Sequence, residues 1–258
     1  MRRITILALV LILIMAIFMP ACSRLIYVTG TGNATGKPYS LSDFSEIEVS
    51  GAFEIAITPS SSYGVSIETQ ESLFDYINIS QTGKTLKIGL KPVTYEKANF
   101  KANVSLPLLG RLDLSGASHG SALGFKSGED FELTSSGAGN LVMDIEAGAA
   151  RITLSEASKA AGHLKAADVN TNISGASRLE LSGSVDKLIL NVSEASEASL
   201  PDFIAQNAEV ILGGASKSSI NVAGKLDVDI TGESSLEYSG NPILGKVSVT
   251  GASSFNPK

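Results

Sequence analysis

Chemistry in this chain begins with a single thiol. Cys22, the only cysteine, follows an apolar run from Ile4 to Phe18 that is broken only by Thr5. Arg2 and Arg3 precede the run, and Met19-Pro20-Ala21 separates it from the cysteine. The run is shorter than the roughly 20 apolar residues that a membrane span needs. A positive start, an apolar stretch and a small residue before the cut are the parts of an export signal. With a cysteine next in line, residues 1–21 read as a lipoprotein signal peptide and Cys22 as its site of lipid attachment. Met19 and Pro20 depart from the aliphatic and small residues usual there, so a plain secretory signal and an uncleaved anchor are the alternatives. Ser23, rather than an aspartate, follows the cysteine. That pattern is similar to lipoproteins sent to the outer membrane of Gram-negative bacteria, which makes the cell envelope the expected location and the membrane the first partner.

The other reactive side chains gather around a recurring four-residue phrase. Its eight copies start at Ser115, Ser136, Ser155, Ser174, Ser193, Gly213, Thr231 and Thr250, and most read as variants of Ser-Gly-Ala-Ser. Glu156 and Glu194 replace the glycine in two copies, while Lys159, Arg178, Glu197 and Lys217 share the position just after the phrase. These six residues form a candidate surface strip for a glycan or a cation, with Arg178 placed to serve both Glu156 and Glu194. The alternative is an ion-paired, solvated edge.

Catalysis has a weaker case. Asp113, Asp144, Asp168, Asp186, Asp202, Asp227 and Asp229 fall at different places in the repeat, and so do His119 and His163. A metal site needs several His, Cys or carboxylate ligands at set spacing, and hydrolysis of a glycosidic bond needs facing carboxylates. Neither pattern is visible, so no catalytic residue, metal or cofactor is expected. With 20 basic against 26 acidic side chains the chain carries a net charge of −6, and loss of Arg2 and Arg3 with the signal makes it more acidic. Nucleic acid, which calls for a basic face, is therefore not an expected partner. The chain has no tryptophan, so the commonest stacking platform for sugars is missing.

The elements that must position these residues follow from the repeat. Successive copies start 18 to 21 residues apart, too close for a pair of helices. One position before each copy lie Leu114, Ser135, Leu154, Ile173, Val192, Leu212, Ile230 and Val249. Three before lie Leu112, Leu133, Ile152, Thr171, Leu190, Val210, Val228 and Val247. Period-two alternation on both sides of a small-residue corner predicts two short strands per repeat facing one interior. A single repeat cannot bury that face, but a stack can. The prediction is an all-β chain, a single parallel β-helix of about 19 residues per rung, right-handed as parallel crossovers generally are. Ser135, the polar exception in its row, falls in the copy with the longest spacing and is expected to mark a bulge.

Residues 22–40 read as a tether and a first strand, and 41–258 as the β-helix domain. Within it, 41–106 forms irregular N-terminal rungs, including a hairpin and a helical turn at Glu71 to Tyr76. Residues 107–258 form the regular rungs. Phe255-Asn256-Pro257-Lys258 could blunt the last strand edge, and a monomer is expected.

Gly30-Thr31-Gly32-Asn33 and Phe44-Ser45-Glu46-Ile47-Glu48-Val49-Ser50-Gly51-Ala52-Phe53-Glu54-Ile55 resemble the opening of a bacterial family. That family is described as putative auto-transporter adhesin, head GIN domain. Leu86 to Leu90, Val104 to Leu108 and Leu114 to Ser118 extend the likeness, which covers about residues 28–255. The resemblance implies a β-helical envelope protein, often a lipoprotein, and implies no catalytic residues. The leading expectation is a non-catalytic, adhesin-like or scaffolding rod that presents a repetitive face to a polymer, a glycan or a protein. A β-helix polysaccharide lyase or hydrolase is the second reading, and a structural or sensory envelope component the third.

Overall fold

The alternation that predicts strands produces them along almost the whole chain. The computed structural model describes residues 27–258, which wind into a β-solenoid of about 8 turns with roughly 19 residues per turn. Each turn lays one strand in each of two stacks, and within a stack the strands pair in parallel with those before and after. In the first stack Glu46–Gly51, Arg111–Gly116, Phe131–Ser135 and Ala149–Leu154 follow one another. In the second the order is Phe53–Pro59, His119–Lys126 and Asn140–Glu146. From Lys159 onward the two strands of a turn run together as Lys159–Ile173, Arg178–Val192, Glu197–Leu212 and Lys217–Ile230.

Register follows the repeat. Val49, Leu114, Ser135, Leu154, Ile173, Val192, Leu212, Ile230 and Val249 are successive cross-strand partners, one vertical column through the rod. From Val49 to Ile230 every member is buried, because each side chain is covered by its own counterparts one rung above and below. At roughly 4.8 Å per rung the rod is about 40 Å long.

Ser135 differs from expectation. It stays in register, partnered by Leu114 and Leu154, and is fully buried. The extra residues of that repeat lie elsewhere. Leu123 pairs with Asp144 but Phe125 with Ile145, so Gly124 is the bulge, and a second residue is absorbed in the turn before Phe131. Ser135 is tied to its own corner instead. The corner serines Ser118, Ser158, Ser177, Ser196, Ser216 and Ser234 point inward and are buried. Ser158 shows their bonding, donating from Oγ to the Ser155 carbonyl at 2.8 Å or the Ser135 carbonyl at 2.9 Å. Gly139 takes this place in the copy that follows Ser135, and a Cβ there would lie 2.7 Å from Ser135 Oγ. The hydroxyl of Ser135 fills the room that the missing corner side chain leaves.

The N-terminal end is built differently. Ile77–Thr82 and Thr85–Leu90 form the expected hairpin, which adds the latter strand in parallel to Glu46–Gly51. Gly64–Gln70 pairs antiparallel with Phe100–Leu106, and Ala34–Tyr39 antiparallel with Gly64–Gln70. A 3₁₀ turn spans Glu71–Tyr76, where the helical turn is predicted, and buries Leu73. Lys37 and Pro38 occupy the outer strand, a charge and a missing N–H that discourage further pairing.

Candidate functional site

The corner strip is brought together by the stacking. Lys159, Arg178, Glu197 and Lys217 are successive partners on one outward row. Arg178, however, does not reach Glu156 and Glu194. Its guanidinium pairs with Glu180, two residues along the same face of its own strand, and with Glu197 at 3.1 Å. Lys159 joins the same carboxylate, with Nζ 3.2 Å from Glu180. Burial pushes the Glu180 carboxyl up, but hydrogen bonds from Lys159 and Arg178 outweigh it and hold the group below the usual range. Four charges thus satisfy one another, which among the described residues leaves Glu156 and Lys217 as the strip residues outside any ion pair or side-chain hydrogen bond.

Glu156 and Glu194 act on the corner itself. At Gly116, Gly137 and Gly214 only the glycine has a positive φ, a turn whose first central residue needs glycine. Glutamate settles instead into the left-handed region, with φ of 60° at Glu156 and 57° at Glu194, and the next alanine follows at 77° and 62°. The Gly175–Ala176 corner between them takes the same form, at 67° and 64°, and in all three the intervening peptide is turned over. Ala117 and Ala138 donate to the preceding corner, at Gly51 and Gly116, whereas Ala157 and Ala176 donate to the following one, at Gly175 and Glu194. Glu194 also accepts from the Gly175 amide through Oε2 at 3.1 Å.

Stacking also creates a second arrangement, away from the corners. On the outward face of the first stack a groove of about 400 Å³ runs across successive rungs. Two parallel rows line it. One carries Asp130, Ala149, Asp168 and Lys187, and the other Glu132, Arg151, Asn170 and Ile189. Between the two rows, Gly110, Phe131, Ala150 and Val169 complete the lining. Glu132 is the cross-strand partner of Arg151, and Asp168 of Lys187. Among the described residues, neither Arg151 nor Lys187 forms an ion pair. Asn170 Oδ1 is buried without a hydrogen-bond partner. Asp130 is partly engaged, accepting from the Ala149 amide at 3.0 Å.

Of the aspartates that fall at different repeat positions, Asp168 therefore enters the groove. Asp113 sits next to it on the same stack, on the strand paired to Phe131–Ser135. Burial raises its carboxyl above the ordinary value, Arg111 opposes this, and Glu48 and Glu132 add to it. His119 and His163 are not brought together: the first faces Asn140 and the second Asp144 in the next register. No group of three or more His, Cys, Asp or Glu side chains among the described residues could hold a metal ion. The signal for the groove lay at four and six positions before each phrase, outward places whose mixed charges form no simple row. Cys22 lies outside the described residues, and among those described no helix is long and apolar enough to cross a membrane.

Fold and sequence together define a class, the β-solenoid of small-residue corners. Residues 43–242 match the family described as "Putative auto-transporter adhesin, head GIN domain", and the chain belongs to that family. No curated protein matches it. Among solved structures it is similar to a putative lipid binding protein from Parabacteroides distasonis, at 22% identity and a TM-score of 0.84 over 90% of this chain and 100% of that one. A putative adhesin from the same organism is 15% identical, with a TM-score of 0.80 and coverage of 90% and 100%. A putative adhesin from Parabacteroides merdae is 18% identical, with a TM-score of 0.74 and coverage of 90% and 99%. At these identities the likeness shows the fold.

Proposed function

We propose that this chain is a non-catalytic, adhesin-like module of the bacterial envelope, tethered through a lipid on Cys22 and acting as a single rod that holds an extended partner in its groove. The observation that carries the reading is the groove itself: polar side chains from several rungs face one channel, and two of its cations are left unpaired. The corner strip is the lesser candidate, because three of its six charges are already held in ion pairs. The family's adhesin description supports the assignment, and the signal-like N-terminus supports an envelope location.

Two experiments test this. Metabolic labelling with palmitate should mark the parent and leave a Cys22→Ser variant unlabelled; equal labelling removes the tether. A deletion strain should adhere less than its parent to envelope or host surfaces, and complementation with Arg151→Ala/Lys187→Ala should fail to restore adhesion. Normal adhesion by the deletion strain removes the adhesin role.

One observation favours the enzyme reading. Asp130, Glu132 and Asp168 share the groove, and the raised carboxyl of Asp113 lies beside Glu132, an arrangement of the kind acid–base chemistry uses. Release of reducing sugar above background from a broad polysaccharide set, abolished by Asp168→Asn, would establish it.

A further inference from the structure

We infer that the groove binds a neutral polysaccharide strand laid along the rod axis, an inference that rests on the groove being the ligand site. The direction comes from the topology. Both lining rows run up the stack, one residue per rung, so a linear ligand meets a new pair of side chains roughly every 4.8 Å along the axis. The volume of about 400 Å³ falls within the range of sites that enclose small organic ligands, enough for a few rings of a longer chain.

The chemical class comes from how donors and acceptors are mixed. Carboxylates only accept hydrogen bonds, and Arg and Lys only donate, whereas a hydroxyl does both. Here each unpaired cation stands beside a carboxylate of the adjoining rung, Arg151 beside Glu132 and Lys187 beside Asp168. Neighbouring hydroxyls of a sugar ring can accept from one and donate to the other. The side-chain amide of Asn170, which lines the groove between these pairs, adds both a donor and an acceptor. Ile189 offers an apolar surface to the C–H face of a ring.

Charged and apolar ligands fit less well. A polyanion would meet three carboxylates in the groove and a chain of net charge −6. A polycation would be opposed by Arg151 and Lys187. A lipid chain would take five ionised side chains out of water without giving them partners, which is costly.

The test is a binding panel on the mature protein, read by affinity electrophoresis and titration calorimetry. Probes are neutral β-glucan, galactomannan and xylan beside polygalacturonate and a sulfated glycan, each at low and high salt. At least one neutral polymer should bind with little salt dependence. Arg151→Ala and Asn170→Ala should each weaken it about tenfold or more, as expected when a buried or charge-assisted hydrogen bond is lost. Lys159→Ala, on the corner, should leave binding unchanged, and matching thermal unfolding curves exclude misfolding. Salt-sensitive binding of an acidic polymer alone, lost in the groove variants, overturns the ligand class while keeping the groove. Neutral binding that survives every groove substitution overturns the groove as the site. Absence of binding to every neutral probe overturns the inference.

Discussion

Asp113 sits where its surroundings oppose its charge. Burial, and the nearby Glu48 and Glu132, raise its folded value above the ordinary 3.8, although Arg111 works the other way. For an acid with a raised folded value, ionisation costs native stability. That cost is fully present above the folded value and vanishes below the unfolded one. Asp113→Asn should therefore raise the melting temperature at pH 7, with the gain shrinking towards zero as the pH falls below 3.8; a gain independent of pH would contradict the assignment. Gly183 shows a harder constraint. Its φ is 121°, and a Cβ there would stand 2.1 Å from the Leu164 carbonyl oxygen of the rung below. Gly183→Ala should cost at least about 3 kcal/mol in denaturant unfolding, because the obstacle is backbone in a paired strand and cannot swing aside.

At the scale of the element, the corner is the informative unit. Across the three corners at Glu156, Gly175 and Glu194 the peptide is turned over, and the hydrogen bonds that Ala157 and Ala176 make between corners reverse direction. Each reversal has an edge. Gly137 directs its carbonyl towards the following corner and Glu156 towards the preceding one, so two acceptors meet there without a donor between them. Glu156→Gly removes a non-glycine residue from the left-handed region. A stability gain of roughly 0.5–1 kcal/mol is expected in denaturant unfolding. No gain would show that the left-handed backbone costs nothing at this corner. The ion pairs of Lys159, Arg178, Glu180 and Glu197 count for less, since all four side chains are a third to a half exposed.

For the whole molecule, position along the rod decides what a buried side chain contributes. Leu154 and Val249 belong to one column, yet Leu154 is fully buried while Val249 is 40% exposed on the last described rung. Leu154→Ala should cost about 3 kcal/mol and Val249→Ala less than about 1, measured by equilibrium denaturation. Equal costs would mean that the last rung is covered. The two ends differ in kind: antiparallel strands with Lys37 and Pro38 close the first, and Tyr238 stacked on Phe255 at 4.7 Å covers part of the other. Ile243, Leu244 and Val247 remain exposed there.

Much of this architecture could be read in the residues because a coil is specified locally. Alternation sets which side chains face inward, and a recurrent Ser-Gly-Ala-Ser sets where the chain turns. Each copy repeats the same instruction, so the column through Leu154, Ile173 and Val192 follows from counting. Ser135 and Gly139 show the limit, since their exchange of room depends on packing between neighbours four residues apart across a corner. The groove lay further out of reach. Asp130, Arg151, Asp168 and Lys187 are about nineteen residues from one another in the chain, and they become neighbours only when the register is set. Their groove exists only because stacking lays these outward rows side by side across several rungs, which no single repeat can do alone.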